Sequence, residues 1–332
     1  MMTQAKSAVI IGAGVSGLSC ARRLKIAGWR VQVVDKARGV GGRLSTRRVE
    51  AVGAFDIGAQ FMTARDPRFQ EFLAEQQSLG RVALWSGSLF YGDRQQMVSA
   101  KPEKRWVGVP GMNSWVKDLF PYESIRLKEQ VQSLERQVKQ GWILDQKKEE
   151  VFDWVILALP SHQAAALIPQ GCSLKDSCQS VIMEPCWTVY VGVQGSTDIP
   201  FDGLFVRDQK SSLSWMANSH TKPGRQIRES SELWVLQASA SWSRSFFDTP
   251  PSQVESMMLE EFRAMCRSSQ YTILHVGSQR WRYASLLEES KSTGHLIDRD
   301  AGLAVVGDWT AGGRVEGAYL SGWGTGDIIA KS

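Results

Sequence analysis

The chain is short of the residues that announce metal or thiol chemistry. Its four histidines, His162, His220, His275 and His295, stand far apart, with no H-E-x-x-H or other paired ligand spacing. No metal site is therefore expected. Five cysteines, Cys20, Cys172, Cys178, Cys186 and Cys266, are odd in number and scattered, and none forms a C-x-x-C. That argues against a zinc site or a redox dithiol and fits idle thiols in a reducing compartment. No stretch approaches the roughly 20 apolar residues that a membrane helix needs. Residues 1–7 form a short polar leader, and glycines soon break the apolar run behind it, so no signal peptide is expected. The net charge of +5 is spread along the chain and makes no basic arm for nucleic acid. These absences predict a cytoplasmic protein with no membrane or nucleic-acid partner. The 332 residues, 43% hydrophobic and 22% charged, suit one large domain or two modest ones.

What is present begins at once. Residues 8–11, A-V-I-I, read as a buried strand and run into G-A-G-V-S-G, residues 12–17. Leu18, Ala21, Leu24 and Ile26 suit a helix that stops at Gly28. Residues 29–34 resume as a strand and end at Asp35. Strand, G-x-G-x-x-G, helix, strand and acid, with Asp35 close to the usual 20 residues on, is a dinucleotide-binding pattern. Gly12 permits the tight turn, Gly14 lets a pyrophosphate approach, and Gly17 lets helix and strand pack closely. The helix N-terminus offers free N–H groups to the phosphates, and Asp35 can accept from ribose hydroxyls. The bland alternative is a glycine-rich turn with no ligand.

A second glycine cluster follows in K-A-R-G-V-G-G-R-L-S-T-R-R, residues 36–48, with Arg43 placed for phosphates. Near the end, V-V-G-D-W-T-A-G-G-R-V-E-G-A-Y-L-S-G, residues 305–322, stops an apolar run at Gly307-Asp308. It then opens a helix near Glu316 through residues with little side chain. Something large is expected against that backbone.

With these motifs the sequence resembles the FAD-binding proteins of the amine oxidase and phytoene desaturase group. The resemblance implies non-covalent FAD with the flavin N5 as hydride acceptor. Its expected contacts are Gly12, Gly14, Val15, Ser16, Gly17, Asp35 and Lys36, then Gly42, Arg43, Gly58, Ala59, Gln60 and Phe61. The backbone at Val131 would meet the adenine, although Val131 also reads as plain core. Gly307 and Asp308 would meet the ribityl chain or pyrophosphate. Val315, Glu316, Gly317 and Ala318 would aim N–H groups at the flavin's pyrimidine edge.

Residues 126–136 and 142–144 read as a hairpin, and 152–159 as an apolar strand. Stretches 81–91, 186–193, 204–207, 213–218, 233–242 and 278–284 are rich in β-formers and aromatics, several of them alternating. They predict an antiparallel sheet with one face covered. Residues 250–268 read as an amphipathic helix with Val254, Met257, Met258 and Phe262 on one side. G-W-G-T-G, residues 322–326, lacks the elements of a second nucleotide motif. The expected fold is α/β, of the p-hydroxybenzoate hydroxylase and amine oxidase type. A Rossmann-like FAD domain would come from residues 1–70, 122–165 and 296–332, and an antiparallel-sheet substrate domain from 71–121 and 166–295.

Longer strings narrow the resemblance. G-A-Q-F-M-T-A-R-D-P-R-F (58–69), R-W-V-G-V-P-G-M (105–112), W-S-R (242–244), R-W-R-Y-A (280–284) and residues 307–322 are similar to the renalases, bacterial members above all. That resemblance spans nearly the whole chain. It implies oxidation of 2- and 6-dihydro isomers of NAD(P)H to NAD(P)+, with O2 reoxidising the flavin to give hydrogen peroxide. The expected partners are thus a nicotinamide nucleotide and O2. The family carries a histidine where this chain has Gln237; glutamine hydrogen-bonds but cannot become a cation. Asn218, Gln237 and Trp281 are the expected substrate walls, each of which also reads as sheet packing. No side chain is singled out as an acid or base. The alternatives are an oxidase of a small amine, with Trp309 and Tyr319 as cage residues or core, and a non-catalytic flavoprotein.

Overall fold

Ser7–Ile11 is buried at every position, as a strand covered on both faces must be. It pairs in parallel with Arg30–Asp35 on one side and Trp154–Leu157 on the other. The computed structural model describes residues 5–50, 52–137, 141–208, 211–226, 231–287 and 295–332; residues 1–4 of the polar leader lie outside them. The sheet around Ser7–Ile11 has six strands. Their order is Leu296–Asp298, Leu303–Val305, Trp154–Leu157, Ser7–Ile11, Arg30–Asp35 and Ile125–Leu127. All neighbours are parallel except the first pair. Three distant parts of the chain therefore build one Rossmann-like sheet.

The crossover helix Val15–Ile26 has no acid in its first turn and carries Arg23 and Lys25 in its last, which suits its dipole. It packs along the closing helix Arg314–Ala330. The glycines of G-W-G-T-G explain how closely. A Cβ on Gly322 would come 2.0 Å from the Ser16 carbonyl oxygen, and one on Gly326 would lie 3.1 Å from that of Cys20. Two of the three glycines thus serve helix–helix contact. Gly324 instead faces His295, 2.4 Å from the site of its Cβ.

The second sheet has seven strands in the order Tyr271–Leu286, Met183–Gly195, Ser231–Ala238, Leu213–Asn218, Gly203–Val206, Leu89–Gly92 and Met97–Ser99. It is antiparallel except where Leu89–Gly92 joins Gly203–Val206 in parallel. Helix Pro251–Met265 buries Val254, Met258 and Phe262 against one face; Met257 is only half-buried. The other face packs on Phe55 and Ile57, through Tyr190, Leu233 and Val235.

Several expected strands are cut differently. The hairpin joins Leu134–Gln137 to Gly141–Leu144, while Ile125–Leu127 leaves it to extend the parallel sheet. The 233–242 stretch stops as a strand at Ala238. Ser239 then caps helix Ala240–Ser245 by accepting the Trp242 N–H. The 81–91 stretch splits between Val82–Leu84, which pairs with Trp106–Gly108, and Leu89–Gly92 in the large sheet. The closing helix starts at Arg314, two residues before Glu316.

Candidate active site

A cavity of about 1900 Å³ runs between the two sheets. Sites for drug-sized ligands are typically about 300–1,000 Å³, so this one has room for a dinucleotide and a second molecule. Its lining includes Gly12, Gly14, Val15, Ser16, Asp35 and Lys36 from the first fingerprint and Gly307, Asp308, Val315 and Ala318 from the last. A Cβ built on Gly14, or on Gly313 at the closing helix, would meet nothing within 4 Å. Both glycines therefore face open space beside a helix start that has no side-chain cap. Free N–H groups there fit a pyrophosphate and the hydrogen-bond-accepting pyrimidine edge of a flavin. Gly312, Gly313 and Arg314 all have positive φ, at 75°, 80° and 67°. Glycine takes such angles without strain and only Arg314 is strained there; the turn accounts for the scarcity of side chain before the helix.

The acids are less free than their motifs suggest. Asp35 accepts the Ala13 N–H at 2.6 Å and the Ala37 N–H at 2.7 Å, pinning both glycine loops while keeping lone pairs for a ribose. Arg43 is not a solitary phosphate ligand. It pairs with Asp308 and donates to the Ala284 carbonyl. Asn113, missed in the sequence, lines the cavity and holds a buried Oδ1 with no hydrogen-bond partner. Such an orphaned acceptor on the cradle wall fits a ligand that donates to it. The residues present thus fit FAD.

The wall facing the cofactor region comes from the large sheet. Gln237 donates Nε2 to the Gly58 carbonyl at 2.7 Å. A carbonyl oxygen only accepts, so the Gln237 Oε1 is left for a ligand. Trp281 donates Nε1 to the Ile57 carbonyl at 2.9 Å. Gln279, Tyr283, Ser214 and Cys186 also line this side. Burial pushes the Cys186 thiol up to about 11, so it remains a neutral thiol at physiological pH.

Most of the expected residues lie on one cavity: Gly12, Gly14, Val15, Ser16, Asp35, Lys36, Gly42, Arg43, Gly58, Ala59, Val131, Gly307, Asp308, Val315, Ala318, Gln237 and Trp281. Six do not line it. Gly17 packs on Gly12 and Ala158. Gln60 binds the Gly58 carbonyl from behind, and Phe61 joins Trp85, Phe205 and Trp215 in an aromatic cluster. Glu316 turns away to accept the Arg65 and Asp66 N–H groups, and Gly317 sits on Ala311. Asn218 is the plain miss among the walls. Its Oδ1 accepts from His220 and Leu233, and it lines a separate hollow of about 180 Å³. The cage candidates are core: Trp309 is 1% exposed and donates to the Leu159 carbonyl, and Tyr319 stacks on Phe72 at 4.4 Å.

Behind Gly58 lie Asp56, Lys222 and Arg225, with fully buried side chains. No local motif marks them: Lys222 and Arg225 stand in the polar stretch N-S-H-T-K-P-G-R-Q, residues 218–226, which gives no sign of burial. Burial pushes the Asp56 carboxyl up, but Lys222 and Arg225 outweigh it and hold it below the usual range. Burial also lowers the Lys222 ammonium; Asp56 pulls it back, Arg225 opposes, and the net is about 8. Among the described residues no group of three or more His, Cys, Asp or Glu side chains could hold a metal ion. No helix among them is long and apolar enough to cross a membrane.

The geometry is that of a cavity with room for a dinucleotide cofactor, walled on one side by the large sheet. A family model for the NAD(P)-binding Rossmann-like domain matches residues 10–76, and one for flavin containing amine oxidoreductases matches residues 89–329. The chain belongs to the flavin-containing amine oxidoreductase family and is an FAD-dependent oxidoreductase. Sequence relatives match locally. Protein FLOWERING LOCUS D from Arabidopsis thaliana is 43% identical over 60 residues, 17% of this chain and 8% of that protein. The zeta-carotene-forming phytoene desaturase of Myxococcus xanthus is 43% identical over 56 residues, 17% of this chain and 11% of the desaturase. Solved structures match throughout. A candidate protoporphyrinogen oxidase from Exiguobacterium sp. 255-15 gives a TM-score of 0.81 at 12% identity over 99% of both chains. Cyclohexylamine oxidase from Brevibacterium oxydans IH-35A gives 0.71 at 13%, again over 99% of both. Reduced UDP-galactopyranose mutase gives 0.75 at 10%, over 99% of this chain and 94% of the mutase. Identities this low speak for the fold alone.

Proposed function

We propose that the protein oxidises isomeric dihydronicotinamides, the 2- or 6-dihydro forms of NAD(P)H, to NAD(P)+. O2 is the electron acceptor and hydrogen peroxide the second product. Bound FAD supplies the hydride acceptor. The chain's own residues bind the substrate, orient it and exclude water.

The observation that carries this reading is that the wall offers cations, Arg280 and Arg282, and no anion. The cavity-lining residues from the large sheet, at 185–186, 214, 237–238 and 279–286, include no carboxylate. A primary amine, like lysine with a pKa of about 10.4, is a cation at neutral pH. It would leave water for a wall with no counter-ion, which is costly. A neutral, flat dihydropyridine pays no such cost and can lie against Trp281. Gln237 Oε1, on the amide whose Nε2 is held by Gly58, would accept from a carboxamide NH2. Hydride transfer from so electron-rich a ring needs proximity more than a strong base. The renalase-like strings in both the cofactor and wall segments support the same substrate.

The test is aerobic turnover with each dihydro isomer and with simple amines in parallel. The expected result is one hydrogen peroxide and one NAD(P)+ per isomer consumed, with little turnover of amines. Efficient amine turnover with none of the isomers would replace this reading by that of an amine oxidase.

A further inference from the structure

The charge cluster behind Gly58 has a use beyond packing. Arg225 grips Asp56 Oδ2 with Nη2 at 2.5 Å and Nε at 3.2 Å. The Asp56 Oδ1 accepts the Thr46 hydroxyl and the Met112 N–H. That carboxylate is well occupied before Lys222 reaches it, and the Lys222 Nζ stays 3.5 Å from Oδ2. Two cations and one anion leave a buried positive charge uncompensated.

Lys222 gives its shorter bond to Gln60 Oε1, at 3.0 Å, and lies 5.3 Å from the centre of the Trp85 ring. An ammonium only donates. Gln60 must therefore turn its oxygen to Lys222 and its Nε2 to the carbonyls of Asp56 and Gly58. The Gly58 carbonyl also takes the Gln237 amide. An unbroken line of hydrogen bonds thus runs from the buried ammonium to the cavity wall.

We propose that Lys222 is a positioning residue for that wall: it orients Gln60, which with Gln237 fixes the Gly58 carbonyl, and its charge favours negative charge arriving in the cavity. This goes beyond the substrate reading and holds whichever substrate reduces the flavin. The charged groups facing Lys222 are Asp56, from strand Gly53–Asp56, and Arg225, from its own turn; Gln60 and Trp85 are uncharged. Since burial brings the ammonium down to about 8, the charge is present below that pH and lost above it.

Sulfite tests this without any substrate. Its sulfur lone pair forms a bond to the flavin N5 and places negative charge on the ring, bleaching the visible band. Sulfite affinity is measured from pH 6 to 10 for wild-type and Lys222→Met holoprotein, and the ratio cancels the ionisation of sulfite itself. The expected ratio is on the order of tenfold in favour of wild type below pH 7, falling towards one above pH 9. A ratio that stays constant across the range overturns the proposal. Should Lys222→Met fail to retain FAD, Gln60→Glu serves instead. A second carboxylate beside Lys222 should keep it protonated to higher pH and move the transition in sulfite affinity upwards; an unmoved transition overturns the proposal equally.

Discussion

Arg43 and Asp308, 265 positions apart, close a two-bonded ion pair, Nη2 to Oδ1 at 2.5 Å and Nη1 to Oδ2 at 3.1 Å. Each belongs to a glycine-rich fingerprint at its own end of the chain, and the pair ties the two together on the cavity wall. Arg43→Met should leave the Asp308 carboxylate on the cavity wall without its partner. Losing charge-assisted bonds of about 1.5–3 kcal/mol should weaken FAD binding roughly tenfold to a hundredfold. Flavin fluorescence during reconstitution measures this. Unchanged affinity would reduce the pair to a tie between segments.

Two glycines of the first fingerprint should fail in different ways. A Cβ on Gly14 meets nothing within 4 Å, whereas one on Gly17 would fall 2.0 Å from the Gly12 carbonyl oxygen. Gly14→Val should therefore fold with near-native circular dichroism and carry little FAD. Gly17→Val should lose thermal stability even as apoprotein. Equal flavin loss with equal destabilisation in both variants would contradict this division.

That division shows what sequence alone could reach. The G-x-G-x-x-G spacing and Asp35 placed the cofactor end because local turn chemistry is written in consecutive residues. The closing Gly307-Asp308 and its glycine-rich link were legible for the same reason. Asn218 was misplaced because strand membership does not say which face a residue uses: its Oδ1 caps the local turn at His220, away from the cavity. The turn of Glu316 toward Arg65 and Asp66 and the burial of Lys222 against Asp56 join residues more than 150 positions apart. No local pattern encodes such pairings. The parallel Leu89–Gly92 strand was likewise invisible to alternation, which does not distinguish partner direction.

The buried cluster should also show in stability against pH. Lys222 titrates near 8 in the fold and 10.5 in the unfolded chain. Between those values the unfolded chain binds more protons, so this group's contribution to stability rises with pH. Asp56 has the opposite arrangement. Its lowered pKa gives a contribution present above about 3.8 and lost as pH falls below it. The difference in unfolding free energy between wild type and Lys222→Met, by urea denaturation from pH 7.5 to 10.5, isolates the first effect. It should move in favour of wild type as pH rises; a flat difference would mean that Lys222 keeps its ordinary pKa.

Gln237 should govern choice among isomers. Gln237→His places a ring where an amide now binds Gly58, altering the acceptor offered to a carboxamide. Relative kcat/KM between the 2- and 6-dihydro isomers should shift severalfold, about 1 kcal/mol of differential binding, while flavin content stays the same. An unchanged ratio would leave Gln237 a packing residue only.

The most direct measurement is anaerobic stopped-flow reduction of the holoprotein, following loss of flavin absorbance in a single turnover. The reacting carbon must lie about 3–3.5 Å from the hydride acceptor, and a wall that places C2 or C6 there holds the C4 hydride of ordinary NADH out of reach. The expected result is rapid bleaching by 2- or 6-dihydro-NAD(P), with slow bleaching by NADH and by amines. Faster bleaching by an amine than by any dihydronicotinamide isomer would contradict the account.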